Sequence, residues 1–448
     1  MSAVIEHLRA RREETLRELI EFLKIPCVST TNHRVREGAE FLAGVMDRAG
    51  IETKIMETKG LPLVYGEARG PADAPTLLIY GHYDVQPAEI SEGWTSDPFE
   101  PEIRGGRIYA RGAADNTGQH FAQVKAVEAY GAAGTPLPIN VKFLIEGEEE
   151  MGSTNLGAFV KENKYLLGAD IACSSDGSMH PSSRPTISLG CRGLLYIELI
   201  CRGAGKDLHS GSYGGAIESP FWRVMAAAQS LRTKGGRVRL PGFYEAVRPL
   251  GEEDRKRLAE IPDPASELTA ALGEHGMRQI AEPGKFYEKT LTQPNLNICG
   301  FQGGYSQEGV KTVLPGIAKV KMDFRLVVDQ DPGKIFGDVR AFLEKEGFGD
   351  NEVEKKAVFF PSKTPAGHPL IEKILTAVEA EGVPPIVFPN FGGSVPDILF
   401  TRDLGIPSLW FPFANADSNP HAPDENLRID LLHRGSELAA AVIEGLGK

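Results

Sequence analysis

Apolar residues recur along the chain at two spacings, and the switches between them divide it. Ile5, Leu8, Leu16, Leu19, Ile20 and Leu23 fall mostly at three- and four-residue intervals, which predicts one amphipathic helix with Pro26 just past its end. Ala39, Leu42, Val45, Met46 and Ala49 predict a second over 37–49, stopped by Gly50. Beyond it, short apolar runs at 61–65, 76–80, 139–145 and 170–173 alternate with helical stretches at 119–130 and 156–163. Nearly continuous apolar strands alternating with helices suit a sheet covered on both faces, so the chain to about residue 185 reads as α/β.

Near 181–185 a run of Ser, Pro and Gly changes the texture. A strand at 194–200, a glycine-rich stretch at 203–215, a helix at 221–231, strands at 296–300 and 318–326, a helix at 332–346 and a strand at 353–359 follow. That strand-helix-strand-strand-helix-strand order is the split arrangement of a ferredoxin-like unit, with 237–289 as a Pro- and charge-rich excursion. After 361 the first pattern returns: a helix at 369–380, strands at 385–388 and 408–411, and a closing helix from 431. The expected fold is therefore α/β, a mixed sheet flanked by helices in a discontinuous domain (1–186 and 362–448), with an α+β domain inserted at 187–361.

Composition narrows the function. The 448 residues suggest roughly three units of ordinary domain size, and 41% hydrophobic with 25% charged is typical of a globular protein. No apolar run approaches the roughly 18 residues of a membrane span, and the first 21 residues interleave acids and arginines where a signal peptide needs an apolar stretch. A net charge of −12 argues against a nucleic-acid backbone as main partner. The five cysteines lack CxxC spacing, so neither a disulfide framework nor a thiolate zinc site is indicated. A reduced, cytoplasmic protein is expected.

Several catalytic signatures are missing. There is no His-Glu-x-x-His pair, Ile200 stands where a Walker loop ending in Gly205-Lys206 needs glycine, and Glu308 replaces the second glycine of a nucleophile elbow at Ser306. What remains is a set of acids and histidines just past apolar strands. His82 and Asp84 follow the strand at 76–80, and alternation places both on one side of the chain. The pair suits a metal ligand oriented by an acid, or two ligands; alone it also fits a surface His–Asp pair. Asp115 precedes a helix start, where a ligand or an N-cap would stand. Glu148, Glu149 and Glu150 follow the strand at 139–145, and three consecutive acids beside a buried strand are costly without a counter-charge, although a solvated loop would also carry them. Asp176 follows a fourth strand. Ligands of open α/β sheets collect outside the strands' carboxyl ends, so these groups converge on one crevice, and oxygen donors with histidine fit zinc, manganese or cobalt better than calcium.

The motifs Gly81-His82-Tyr83-Asp84-Val85-Gln86-Pro87, Trp94 with Asp97-Pro98-Phe99, Tyr109-Ala110-Arg111 with Asp115-Asn116, and Glu146-Gly147 with Glu149-Glu150 and Gly152-Ser153 resemble those of the carnosinase, carboxypeptidase G and acetylornithine deacetylase family of two-metal amidohydrolases. The later stretches 206–215, Lys311-Thr312 with Pro315, Asp323-Phe324-Arg325, Gly392-Gly393-Ser394 and Asn419-Pro420-His421 extend the resemblance over essentially the whole chain, nearest to the carnosinase-like dipeptidase branch. Thr117 departs from it, since a lysine more often stands there.

The resemblance implies a zinc-aminopeptidase-like catalytic domain with a ferredoxin-like lid and dimerisation domain. It implies two divalent cations per subunit, zinc first, with manganese or cobalt as alternatives. His82, Asp115 and Asp176 would hold one, and Asp115, Glu150 and His421 the other, with Asp84 orienting His82 and Glu149 as general base. His209 would reach the partner's site in a homodimer and stabilise the oxyanion, while Arg325, with Thr312 and Ser394, would bind a substrate carboxylate. The implied reaction is hydrolysis of a dipeptide or short peptide with a free C-terminus. An N-acyl-amino-acid deacylase and a non-catalytic scaffold of the same fold are the alternatives.

Overall fold

Two sheets organise the computed structural model, which describes residues 2–263, 265–280 and 282–448. Twelve strands build them: β1 (Glu52–Met56), β2 (Leu63–Ala68), β3 (Thr76–His82), β4 (Asn140–Glu146), β5 (Ile171–Ser174), β6 (Thr186–Ser188), β7 (Gly193–Arg202), β8 (Asn295–Gly303), β9 (Ile317–Leu326), β10 (Glu352–Phe359), β11 (Ile386–Phe388) and β12 (Ser408–Trp410). The larger sheet runs β1-β2-β4-β3-β5-β12-β6-β11. Its centre is parallel, since β3 lies parallel to β4 and β5, and β12 parallel to β5. β1 and β2 make it mixed, each antiparallel to its neighbours.

Helices cover both faces of this sheet: α1 (Ala3–Ala10), α2 (Arg12–Leu23), α3 (Val35–Arg48), α4 (Thr117–Ala132), α5 (Leu156–Glu162), α6 (Pro220–Ser230), α7 (Pro332–Lys345), α8 (Pro369–Ala380) and α9 (Ile429–Leu446), apart from α6 and α7. Alternation along β3 sorts the core. Leu77 and Ile79 pack with Phe121, Val124, Leu438 and Val442 of α4 and α9, whereas Leu78 and Tyr80 pack with Leu156, Phe159 and Phe400 on the opposite face. This is the doubly covered sheet that the continuous apolar runs predict.

The N-terminal helix is divided. Arg11, at φ −104° and ψ 13°, separates α1 from α2, and the break lets Arg9 and Arg12 converge on Glu437 of α9 at 2.9 and 2.8 Å. β1 is a second departure. Its residues are largely polar because it is a sheet edge, and it leaves no apolar run to detect.

The smaller sheet is antiparallel in the order β8-β9-β7-β10. Val224, Ala227 and Leu231 at α6, with Ile335, Val339 and Phe342 of α7, pack against Leu195, Ile197, Leu199, Val320, Met322 and Phe324. Strands one and three lie in the middle with both helices on one face, which is the ferredoxin-like arrangement. The chain leaves the large sheet after β6 and returns beside its own exit, where Thr364 N–H donates to the Leu189 carbonyl (2.7 Å) and Ser362 N–H to that of Cys191 (3.1 Å). Gly190 (φ +148°) sits at this crossing, and a Cβ there would collide with the Ser362 carbonyl. The 237–289 excursion contains helices at Glu252–Glu260, Ala265–Met277 and, at its end, Phe286–Thr292. It rests on the β11 edge of the large sheet, with Ile261 and Leu291 packed against Ile386.

Candidate metal centre

β3 and β4 end in register, His82 opposite Glu146, and β5 ends beside them. The last residue of β3, His82, and the loops after β4 and β5, which carry Glu149, Glu150 and Asp176, are therefore delivered to one place. The loop before α4 adds Asp115, and the loop between β12 and α9 adds His421.

Asp115 lies between the two histidines. Its Oδ1 is 3.1 Å from His82 Nε2 and its Oδ2 is 2.9 Å from His421 Nε2. Asp176 Oδ2 approaches His82 Nε2 at 3.7 Å, and Glu150 Oε2 approaches His421 Nε2 at 3.1 Å. Two triads result, His82–Asp115–Asp176 and Asp115–Glu150–His421, each with its ligand atoms within 4.8 Å of one another. His82 Nε2 and Glu150 Oε1 are buried with no hydrogen-bond partner, which costs free energy unless another group completes them. Nitrogen and carboxylate donors without sulfur suit zinc, manganese or cobalt, so the residues present fit a pair of divalent cations.

The charges are strongly coupled. Hydrogen bonds to Asp115 and then Glu150 push the His421 imidazole up to about 10. Burial alone would raise the Asp115 carboxyl, but the adjacent His421 and His82 imidazoles hold it well below the usual carboxylate range. Glu149 is shifted well upward, chiefly by burial, with Asp176, Glu150 and Asp115 adding to it and His82 opposing.

Asp84 is fully buried behind His82. The nearest acceptor for His82 Nδ1 is the main-chain carbonyl of Asp84 at 3.0 Å, whereas its carboxylate lies at 3.5 Å. That carboxylate accepts instead from the backbone N–H of Glu149 and of Glu150, each at 3.1 Å. Glu148 is turned away, its carboxylate accepting from Leu61 N–H at 2.8 Å and from Asn155. The cavity at the centre, about 390 Å³, is lined by Asp115, Glu149, Asp176 and His421 together with Arg325 and Ser394. Arg325 donates to Ser394 Oγ at 3.2 Å and is steadied by Asp323 at 3.1 Å. A larger cavity of about 710 Å³, beside Leu258 and Tyr287, contains no member of either triad.

His209 and Thr312 are not on the cleft wall of their own chain. They face each other at 3.3 Å on an exposed ribbon formed by Leu208–His209 and Val313–Leu314.

Three further residues, assigned no role from the sequence, shape the site. Glu425, fully buried, accepts from the backbone N–H of Asp115 (3.0 Å), Ala114 (2.9 Å) and Gly112 (3.2 Å), and from Arg111 Nη1 at 2.7 Å. It thereby ties the Asp115 loop to the His421 loop. Asn116 accepts from the His82 N–H at 3.2 Å and donates to the Ser175 carbonyl. Gln86 donates to Glu150 Oε2 at 2.9 Å. The only sequence signal for Glu425 is its place four residues after His421.

Comparison with known proteins places this centre in a class. The model of peptidase family M20/M25/M40 matches residues 78–445, and the chain belongs to that family. It is a metallopeptidase by that membership and by the paired triads. Among characterised relatives, the chain is 28% identical to the Cys-Gly metallodipeptidase DUG1 of Saccharomyces cerevisiae, over 99% of this chain and 98% of the relative. It is 31% identical to the Beta-Ala-His dipeptidase of Rattus norvegicus, over 86% and 80%. Of solved structures, the M20 family metallo-carboxypeptidase Sso-CP2 from Sulfolobus solfataricus superposes with a TM-score of 0.90 at 36% identity, covering 97% of this chain and 99% of that one. Human carnosine dipeptidase 1 does so at 0.82 and 26%, covering 99% and 98%.

Proposed function

We propose that the protein is a metallodipeptidase that hydrolyses dipeptides or short peptides with a free C-terminal carboxylate. The observation that carries this reading is one cleft whose wall carries Asp115, Asp176 and His421 of the two triads, the Glu149 carboxylate and the Arg325–Ser394 pair. His82, Asp115 and Asp176 would ligate one divalent cation, and Asp115, Glu150 and His421 the second, with zinc the first choice and manganese or cobalt as alternatives. Such cations supply Lewis acidity toward an amide carbonyl and make water more acidic.

The chain's own residues do the remainder. Glu149 faces the cleft unencumbered by a ligand role, so it accepts a proton from the attacking water and returns it to the leaving amine. Arg325, aligned by Asp323 and Ser394, pairs with the terminal carboxylate and fixes the peptide's register. Glu425, Asn116 and Asp84 hold the loops in place by their backbones, so the donors need little rearrangement.

In this reading 187–361 is a lid and dimerisation domain on a catalytic domain formed by 1–186 and 362–448. The exposed His209–Thr312 ribbon completes the partner's site in a homodimer, where His209 donates to the oxyanion. The reading places the enzyme in the cytoplasm: all five cysteines are free, and no helix among the described residues is long and apolar enough to cross a membrane.

The test is activity after reconstitution with zinc, manganese or cobalt, against Cys-Gly, β-Ala-His and N-acetyl-amino acids. Turnover of at least one dipeptide well above that of every N-acyl amino acid is expected. Preference for the N-acyl compounds would make the protein a deacylase.

A further inference from the structure

Part of the cavity wall is apolar, and one ring dominates it. Phe391 lines the cleft with Leu194 and Val395. Its ring is stacked on Trp410, centroids 6.1 Å apart and planes 11° from parallel. Trp410 is itself fixed: it is buried and donates through Nε1 to Asp397 at 3.1 Å, while Ser408 and Ser362 donate to the same carboxylate. The Phe391 backbone is clamped as well, its N–H donating to the Gly190 carbonyl at 2.6 Å and its carbonyl accepting from Arg192 N–H at 3.2 Å. A ring held at both its face and its backbone keeps one position without an entropy cost at each binding event.

Two glycines let the ring sit where it does. A Cβ at Gly177 would lie 3.3 Å from the Phe391 ring, and one at Gly393 only 2.6 Å from it. Gly177 follows Asp176 of the first triad, and Gly393 precedes Ser394, the partner of Arg325. The ring therefore spans the interval between the metal-ligating end of the cleft and its carboxylate-binding end. On the function proposed above, the scissile carbonyl lies at the triads and the terminal carboxylate at Arg325. The substrate atoms that lie between them are the leaving amide nitrogen and the Cα of the C-terminal residue, which carries the side chain.

We propose that Phe391 is a specificity-determining residue, the apolar wall against the side chain of the substrate's C-terminal residue, and that it selects apolar side chains there over glycine and over acids. This rests on the dipeptidase reading. Contact of an aliphatic side chain with a preformed aromatic face favours larger apolar groups, and a carboxylate there would lose water without gaining a partner.

The test measures kcat/KM of the metal-loaded enzyme for Ala-Gly, Ala-Ala, Ala-Leu and Ala-Asp, in wild type, Phe391→Ala and Phe391→Leu. Wild type should prefer Leu over Gly and reject Asp. Phe391→Ala should lower the Leu-to-Gly ratio by about 10-fold or more, the range that a few methylene contacts provide. Its rate on Ala-Gly should stay within about threefold of wild type, which also shows that the variant is folded, and Phe391→Leu should keep most of the preference. An unchanged Leu-to-Gly ratio, or an equal fall on all four peptides, would overturn the proposal. Ala-Leu amide separates the two levels: its cleavage as fast as Ala-Leu itself would overturn the carboxylate anchor at Arg325, and the placement of Phe391 with it. Slow cleavage of the amide with an unchanged ratio would overturn Phe391 alone.

Discussion

The carboxylate of Asp84 receives the backbone N–H of Glu149 through one oxygen, at 3.1 Å, and that of Glu150 through the other, at the same distance. One buried acid thus sets the turn from which two adjacent glutamates diverge, Glu150 toward His421 and Glu149 toward the cleft. Asp84→Asn would put an amide group against one of two N–H donors, leaving a buried donor unpaired at a cost of about 1–3 kcal/mol. Supporting residues of this kind typically change metal affinity by about 10–100-fold. Zinc affinity, measured by competition with a chelator, should fall in that range. Unchanged affinity together with unchanged kcat would show that Asp84 does not govern the turn.

Much of the centre was legible because its residues stand immediately after apolar strands. His82, Glu149, Glu150 and Asp176 each follow a run whose burial is visible in the sequence, and a parallel sheet brings such ends together. Register between Glu148 and Glu149 was readable only through the motif, and the structure shows the physical difference: Glu148 is committed to Leu61 and Asn155. Glu425 was invisible for a different reason. All but one of its partners are backbone N–H groups some 310 residues earlier in the chain, the exception being Arg111, and a backbone donor has no sequence signature. The edge strand β1 escaped because an edge is polar by necessity. The break at Arg11 brings Arg9 and Arg12 onto Glu437, a partner more than 400 residues away that no local pattern announces.

The proposal that a homodimer completes each site predicts complementation. On that proposal His209→Ala should lower kcat by about 10²–10³-fold with metal content intact, the usual cost of losing a donor to an oxyanion. Mixing it with Glu149→Gln under subunit exchange, verified by native mass spectrometry, should restore activity. About half the dimers would then be mixed, each with one unimpaired site, so recovery should approach about a quarter of wild type. Complete exchange without recovery would place His209 in the service of its own chain.

Glu437 predicts a pH dependence of stability. Burial raises its carboxyl, but hydrogen bonds from Arg9 and Arg12 outweigh that and hold it below the ordinary value. A depressed carboxyl stabilises the fold above its unfolded pKa, near 4.3, and that contribution is lost as pH falls through the lower folded value. Wild type should therefore exceed Glu437→Gln in urea midpoint at pH 7, and the gap should narrow below about pH 4. A gap that does not change with pH would mean that the Arg9 and Arg12 pairings contribute nothing through charge.

The central claim is that Glu149 acts on the proton while Glu150 and the other four residues of the triads hold the metals. The most direct measurement is metal content and turnover of Glu149→Gln, side by side, after identical reconstitution. The account predicts two cations per chain, as in wild type, with kcat reduced by about 10²–10⁴-fold, the usual cost of losing a general base. A cation lost in step with activity would make Glu149 a ligand, and full activity with both cations retained would remove it from the chemistry.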